Sequence, residues 1–288
     1  MDRERVEVTG GKNSAASSSK PVSAGGSLPS RLGSLGTDFS TLPMRALRLF
    51  LIVDAAILAM FATVTALGLP ANKVAYALFS LDIEANPGAW YQSMQLLLVG
   101  LVFFLLASNL LRGHTVVRRL RHVWLILGAG FVYLSADEAG VIHERLSQLM
   151  MTGIGGRPGL VRLFGGTPLA SHIPAHIHGG GLWLILYMVV GLVVVAVLAP
   201  SFPALVRRWP RECIAFVIGF LVLFTGGAIF EGIAGMIHMT AATRAVEVGF
   251  EEGFEMLGQS ICIFAAVWFF SSAARELAAG TANGEDPA

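Results

Sequence analysis

The sequence is short of charged residues, and this shortage indicates where the protein works. Only 14% of its 288 residues are charged and 55% are hydrophobic, whereas a soluble domain carries about a quarter charged residues. The balance points to a polytopic membrane protein rather than a soluble one. The net charge of +1 excludes nothing by itself, and we expect no nucleic-acid partner.

Cysteine is nearly absent as well. The two cysteines, Cys213 and Cys262, both fall inside apolar runs, which excludes a disulfide framework and a thiolate metal motif. We predict that both are small buried hydrophobic residues.

Long apolar runs are abundant, and six of them reach the roughly 20 residues that cross a bilayer. They are Leu49 to Leu69, Trp90 to Leu111, Val123 to Ile142, Gly179 to Ala199, Cys213 to Ile237 and Val246 to Ala274. We therefore predict an all-α bundle of six transmembrane helices within residues 43–276. The Ser- and Gly-rich residues 1–42 and the short segment 277–288 are predicted to be disordered tails.

The distribution of Lys and Arg predicts the orientation of this bundle. With six spans, fifteen of the twenty basic residues fall on the side of the two tails and the second and fourth loops. Cytoplasmic loops carry the excess of Lys and Arg, so both termini are predicted to be cytoplasmic, in a bacterial inner membrane.

On the opposite side the topology gathers acidic residues and histidines at one depth. The candidate metal ligands among them are Asp137, Glu138, His143 and Glu144 on the third span, His176 before the fourth, Glu231 and His238 on the fifth, and Glu251 and Glu255 on the sixth. On a continuous helix, Asp137 and Glu144 are seven residues apart and nearly eclipsed, with Glu138 and His143 beside them. Along the sixth span an i, i+4 row runs from Glu247 to Gln259.

This side has an imbalance of charge. It holds ten carboxylates against five Lys or Arg residues, and charged groups inside a bilayer are costly unless they are paired. We expect protons or bound metal ions to neutralise the carboxylates.

Simpler explanations compete for several of these residues. Glu144 and His143, near a helix end, can extend to the headgroups, and Pro174 disturbs the helical spacing around His176. Asp54, alone in the first span, is expected to hydrogen-bond a neighbouring helix. Tyr91 and Trp183 are predicted to be interfacial aromatic residues, and the glycines of the last two spans to mark close helix contacts.

Carboxylates with a few imidazoles favour hard or borderline divalent ions, so we predict two metal ions, iron or manganese rather than zinc. The spacing differs from the Glu-x-x-His of di-iron bundles, so the analogy is chemical only.

The first hypothesis is a metal-dependent membrane enzyme, an oxidoreductase or hydrolase, that acts on a lipid or other apolar substrate. A proton-coupled or divalent-cation transporter using the same acids is the alternative, although the basic side offers no matching acidic exit. A non-catalytic membrane subunit is a third hypothesis.

Three segments, "LSADEAGVIHERL", "DIEANPGAWYQSMQLLL" and "EVGFEEGFEMLG", resemble an uncharacterised group of bacterial multi-pass proteins that carry a Ser-x-Asp-Glu-x4-His-Glu segment. The resemblance extends over roughly Leu49 to Ala274. It implies that the acids and histidine of the third span work with the later glutamates. It implies no activity.

Overall fold

The computed structural model describes residues 39–68, 73–81, 86–108, 111, 114–143, 145–146, 149, 182–230, 232 and 239–282. In these residues the chain is helical, and they contain no β-strand. The predicted all-α fold is confirmed.

Nine α-helices have defined bounds within the described residues. They are α1 (Leu42–Ala66), α2 (Lys73–Phe79), α3 (Pro87–Ala107), α4 (Thr115–Arg119), α5 (Arg121–Gly140), α6 (Leu182–Leu198), α7 (Phe202–Arg208), α8 (Pro210–Phe224) and α9 (Ala241–Ala282). A 3-10 turn, Ala199–Ser201, joins α6 to α7, and a π-helical segment, Thr225–Phe230, continues α8. The last helix continues to Ala282, beyond the predicted start of the C-terminal tail at residue 277.

Local sequence explains where several helices begin. Asn86 caps α3, because its side-chain oxygen accepts a hydrogen bond from Ala89 N (2.9 Å) while its amide nitrogen donates to Ser80 O (2.5 Å). Pro87 and Pro210 follow the caps of α3 and α8, where a missing N–H costs nothing and the fixed φ angle suits a helix.

Five segments are long and apolar enough to cross a membrane: Leu42–Ala66, Pro87–Ala107, Trp183–Arg208, Pro210–Phe230 and Ala241–Ala279. Helix α5 is not among them. Its apolar stretch is bounded by Arg121 and His122 at one end and by Asp137 and Glu138 at the other, which lowers its hydropathy. Five of the six predicted spans thus have a counterpart among the described residues, and the third predicted span, Val123 to Ile142, is not confirmed.

The order of facing residues gives the relative direction of each helix pair. Helices α3 and α5 run in opposite directions, because Ser93 contacts Ser135 near one end and Ala107 contacts Arg121 near the other. The same reasoning gives opposite directions to three further pairs: α5 and α6 (Tyr133–Tyr187, His143–Trp183), α8 and α9 (Gly219–Cys262, Gly226–Glu255), and α1 and α9 (Asp54–Ser260, Phe61–Gly249). Helices α3 and α9 run in the same direction, as Gln92–Glu252 and Gln95–Ser260 show. Accordingly α1, α5 and α8 run one way, and α3, α6 and α9 the other.

This arrangement gives the bundle two chemically different ends. The acidic end is the one where α5 finishes and α9 begins, with Asp137 and Glu247. The arginine end is the one where α5 begins and α9 finishes, with Arg121 and Glu276. Between them lies a layer of contacting aromatic rings, which we call the aromatic layer: Phe103, Trp124, Phe131, Trp209, Phe216 and Phe269. Both cysteines are buried in this core, as predicted.

Candidate functional site

The best-defined feature of the acidic end is the contact between Asp137 and His143. Asp137 Oδ1 accepts a hydrogen bond from His143 N (2.7 Å), and Asp137 Oδ2 lies 3.2 Å from His143 Nδ1. The two side chains are 10% and 18% exposed. One carboxylate therefore holds both the backbone and the ring of His143.

This contact depends on a left-handed backbone conformation at Val141. Helix α5 ends at Gly140, and Val141 adopts φ 53° and ψ 43°, with its N–H bonded to Asp137 O. A β-branched residue with positive φ is strained, and such strain collects at functional sites. The sequence predicted a continuous helix through Ile142, with Asp137 and His143 on the same helix. This prediction is wrong at the helix end, because α5 ends at Gly140 and the left-handed turn at Val141 brings His143 into contact with Asp137.

Helix α6 covers the His143 ring. The centroid of Trp183 lies 4.7 Å from that of the imidazole, and Trp183 contacts Tyr187 edge-on. Tyr187 in turn shares a hydrogen bond with Tyr133 of α5 (2.8 Å between hydroxyl oxygens). Trp183 was predicted to be an interfacial aromatic residue, whereas in the structure it is buried against the histidine.

The glutamates of α9 form a row on the same end of the bundle. Glu247 is 8% exposed and bonds to Arg244 Nη1 (2.6 Å), so one member of the predicted row has a basic partner. Glu251, Glu252 and Glu255 are half-buried. Glu252 accepts a hydrogen bond from Gln92 of α3.

Glu255 packs against the π-helical segment of α8. A Cβ added at Gly227 would lie 2.7 Å from Glu255 Oε1, and one at Gly226 would lie 2.6 Å from Glu255 Cγ. The two glycines thus leave the space that this carboxylate occupies. Single π-turns within helices are frequent at functional sites.

A chain of polar side chains continues from Glu252 toward the middle of the bundle. Gln92 accepts from Gln259 Nε2 (3.2 Å), and one turn deeper Gln95 Nε2 donates to Ser260 Oγ (3.0 Å). The carbonyl oxygens Gln95 Oε1 and Gln259 Oε1 are buried, and no donor from the residues that the structure describes reaches them.

The chain ends at Asp54 of α1. Its carboxylate accepts hydrogen bonds from Tyr91 Oη (2.7 Å), Ser260 Oγ (2.6 Å) and Gln95 Nε2 (3.2 Å). The prediction that Asp54 hydrogen-bonds neighbouring helices is confirmed. The roles of Tyr91, Gln92, Gln95 and Ser260 were missed, and the signal that could have revealed them is four polar residues within otherwise apolar spans.

The arginine end has a separate polar cluster. Glu276 accepts from His114 Nε2 (2.7 Å), Arg208 Nη2 (2.7 Å) and Trp209 Nε1 (3.3 Å). Glu212 is buried and accepts from Ser272 Oγ (2.6 Å). The sequence analysis expected no matching acidic exit on this side. Glu212 and Glu276 lie there, and each accepts hydrogen bonds from local donors.

The predicted metal ligands are brought together only in part. Asp137 contacts His143, while Glu251 and Glu255 lie along α9 and Glu138 is half-buried on α5. Glu144, His176, Glu231 and His238 lie outside the described residues. Among the residues that are described, no three His, Cys, Asp or Glu side chains form a group that could hold a metal ion.

The fold and these buried polar contacts define the protein as a helical membrane protein with several spans. It belongs to the family described as a domain of unknown function, DUF8692, whose model matches residues 49–272. This agrees with the resemblance to an uncharacterised family. No curated protein and no solved structure matches the chain.

Proposed function

We propose that the protein crosses the membrane six times, with α5 as the additional span. Helix α5 faces α3 from the Ala107–Arg121 contact to the Ser93–Ser135 contact, so it covers most of the length of a candidate span. The alternating helix directions support the same topology. Since the excess of Lys and Arg marks the cytoplasmic side, both termini face the cytoplasm of a bacterium and the acidic end faces outward.

Within this topology, the protein acts as a metal-dependent enzyme on a lipid or other apolar substrate. The observation that carries this proposal is the contact of the Asp137 carboxylate with the backbone N–H and Nδ1 of His143, which the strained turn at Val141 brings together. A carboxylate that bonds Nδ1 of a histidine fixes the ring orientation and raises the basicity of Nε2, the usual arrangement behind a metal-binding histidine. Asp137 is then an orienting residue rather than a direct ligand.

The glutamates of α9 supply the remaining chemistry of such a site. Glu251 and Glu255 offer oxygen donors suited to iron or manganese, and Glu138, Glu144, His176, Glu231 and His238 are the further ligands expected for a pair of ions. A bound metal would activate water or polarise a substrate oxygen. Tyr133 and Ile185, beside the covered His143, are exposed on the outer surface of the bundle, where an apolar substrate would approach from the lipid.

A second candidate, transport of protons or divalent cations, is favoured by the polar chain. It links Glu252 to Gln92 and Gln259, and one turn deeper Gln95 and Ser260 reach Asp54. Buried acids joined by hydrogen bonds are what proton relays use. Along α9, however, Phe269 of the aromatic layer lies between Ser260, which bonds Asp54, and Glu276. The two acids of the arginine end, Glu212 and Glu276, are bonded to local donors. A polar path open at one end suits a binding or catalytic site better than a continuous pathway.

Metal analysis of the detergent-purified protein separates these functions. The enzyme proposal expects about two iron or manganese ions per chain, lost in the Glu251→Gln, Glu255→Gln double variant and kept in Asp54→Asn, a matched change of a buried carboxylate outside the metal site. Absence of tightly bound metal from the parent protein would contradict the enzyme proposal. Proton or cation flux in proteoliposomes that disappears in Asp54→Asn would instead establish transport.

A further inference from the structure

At the arginine end an open groove lies between α4 and α7. Its volume is about 310 Å³, and it is lined by Val116, Arg119, Leu120, Ala204, Arg207 and Arg208. Three arginines thus surround three apolar side chains. Such a combination fits a ligand with an anionic head and an apolar body.

Both walls of the groove are held in place by side-chain bonds. Glu276 of α9 accepts from His114, which caps the start of α4, and from Arg208, at the end of α7. His122 Nε2 also lies 2.8 Å from Ser201 Oγ, which joins the start of α5 to the turn before α7. The groove is therefore preformed rather than a gap between independent helices.

Two of its arginines have no carboxylate partner in the part of the chain that the structure describes. Arg207 Nε donates to Pro203 O (3.1 Å), and both Arg119 and Arg207 are exposed. Around them the described residues of the arginine end are strongly basic. The arginines of this end are Arg45, Arg48, Arg118, Arg119, Arg121, Arg207, Arg208, Arg211 and Arg275, against two glutamates, Glu212 and Glu276. Both glutamates already have hydrogen-bond partners. The positive charge of this groove therefore favours an anionic ligand.

The apolar surroundings indicate which anion. Helix α6 leads directly into α7 through a 3-10 turn, and none of the residues 184–204 is buried inside the structure. Phe202, at the junction, is 49% exposed. A bilayer lipid whose phosphate lies between the arginines can therefore place its acyl chains along α6.

We propose that this groove binds the phosphate of an anionic phospholipid at the cytoplasmic face, with Arg119 and Arg207 as its contacts. Basic pockets between transmembrane helices on this side of a membrane recognise such headgroups. The site is separated from the acidic end by the aromatic layer. The proposal does not depend on the metal site.

Native mass spectrometry of the full chain with added phosphatidylglycerol tests the proposal. The variant Arg119→Gln, Arg207→Gln removes two charges from the groove, and Arg45→Gln, Arg48→Gln removes two exposed charges at the start of α1, on the same side. A basic residue near an anionic surface contributes about 1 kcal/mol, or about fivefold, so the groove variant is expected to bind the lipid about 25-fold more weakly. The α1 variant should bind it like the parent protein.

Three results would overturn the proposal, and one control shows that the groove variant is folded. Equal losses in both variants would overturn the groove as a site, because the attraction would then follow total charge. Binding of phosphatidylcholine as strong as that of phosphatidylglycerol would also overturn it. Inorganic phosphate that displaces the lipid at an equal concentration would show a free-phosphate site and overturn the lipid assignment. Unchanged thermal unfolding of the groove variant in the absence of anionic lipid shows that it is folded.

Discussion

At the scale of single residues, the hydrogen bonds of Asp137 determine which atoms of His143 can do chemistry. The carboxylate engages the backbone N–H and Nδ1, which assigns any metal or proton contact to Nε2. The sequence predicted that both residues belong to one site. It could not predict the turn between them, because valine has no intrinsic preference for positive φ.

The strain at Val141 leads to a prediction about stability. A left-handed conformation costs an ordinary residue about 1–2 kcal/mol, and glycine avoids this cost. Val141→Gly should therefore stabilise the protein by about 1 kcal/mol after its greater unfolded-chain entropy is subtracted. Thermal unfolding in detergent measures this as a rise in Tm of a few degrees.

Val141→Ala is the matched control, because it shortens the side chain without giving the freedom of glycine. Its Tm should stay below that of Val141→Gly. If Val141→Gly lowers Tm, then the left-handed turn is not a source of strain.

At the scale of helices, close packing depends on a few glycines that the sequence already marked. Gly226, Gly227 and Gly258 lie where α9 approaches α8 and its π-helical continuation, as predicted, whereas no atom of a described residue lies within 4 Å of a Cβ placed at Gly232. The pattern identified contact faces without identifying partners. It also gave no warning of the π-helical segment, because the wider turn depends on how Glu255 packs against Gly226 and Gly227 rather than on local propensity.

Gly258 offers the sharpest test of this packing. A Cβ at Gly258 would overlap the backbone N and Cα of Leu223, which cannot move aside as a side chain can. Gly258→Ala should lower the free energy of unfolding by about 2 kcal/mol or more through overpacking. Gly130→Ala on α5, where no described residue lies within 4 Å of the added Cβ, should instead be neutral or stabilising by up to about 1 kcal/mol.

Both variants are compared with the parent protein by thermal unfolding in the same detergent. Equal Tm values for Gly258→Ala and Gly130→Ala would contradict the α8–α9 contact. A loss confined to Gly258→Ala would support it.

At the scale of the whole molecule, the distribution of polar groups is one-sided. Polar side chains reach Asp54 from the acidic end, while the aromatic layer lies on the other side of Asp54 and contacts the cluster around Glu276 through Trp209. The sequence predicted that acids would gather at one end. It did not predict their separation into the Asp137–His143 contact and the α9 row, because helix neighbours such as α3 and α9 are far apart in the chain.

The number of spans determines on which side of the membrane each terminus lies, and labelling experiments can measure this. Six crossings place both termini on one side, whereas five crossings without α5 place them on opposite sides. Single variants Ser40→Cys, Thr240→Cys and Ala278→Cys put a thiol at exposed positions before α1, before α9 and near the end of α9. The native Cys213 and Cys262 are buried, so a membrane-impermeant maleimide added to intact cells should leave the parent protein unlabelled.

In intact cells we expect the maleimide to label Thr240→Cys alone, and in broken cells to label all three variants, because α9 carries the chain from the outer side back to the cytoplasm. Labelling of Ala278→Cys in intact cells, with Ser40→Cys protected, would mean that α5 does not cross the bilayer.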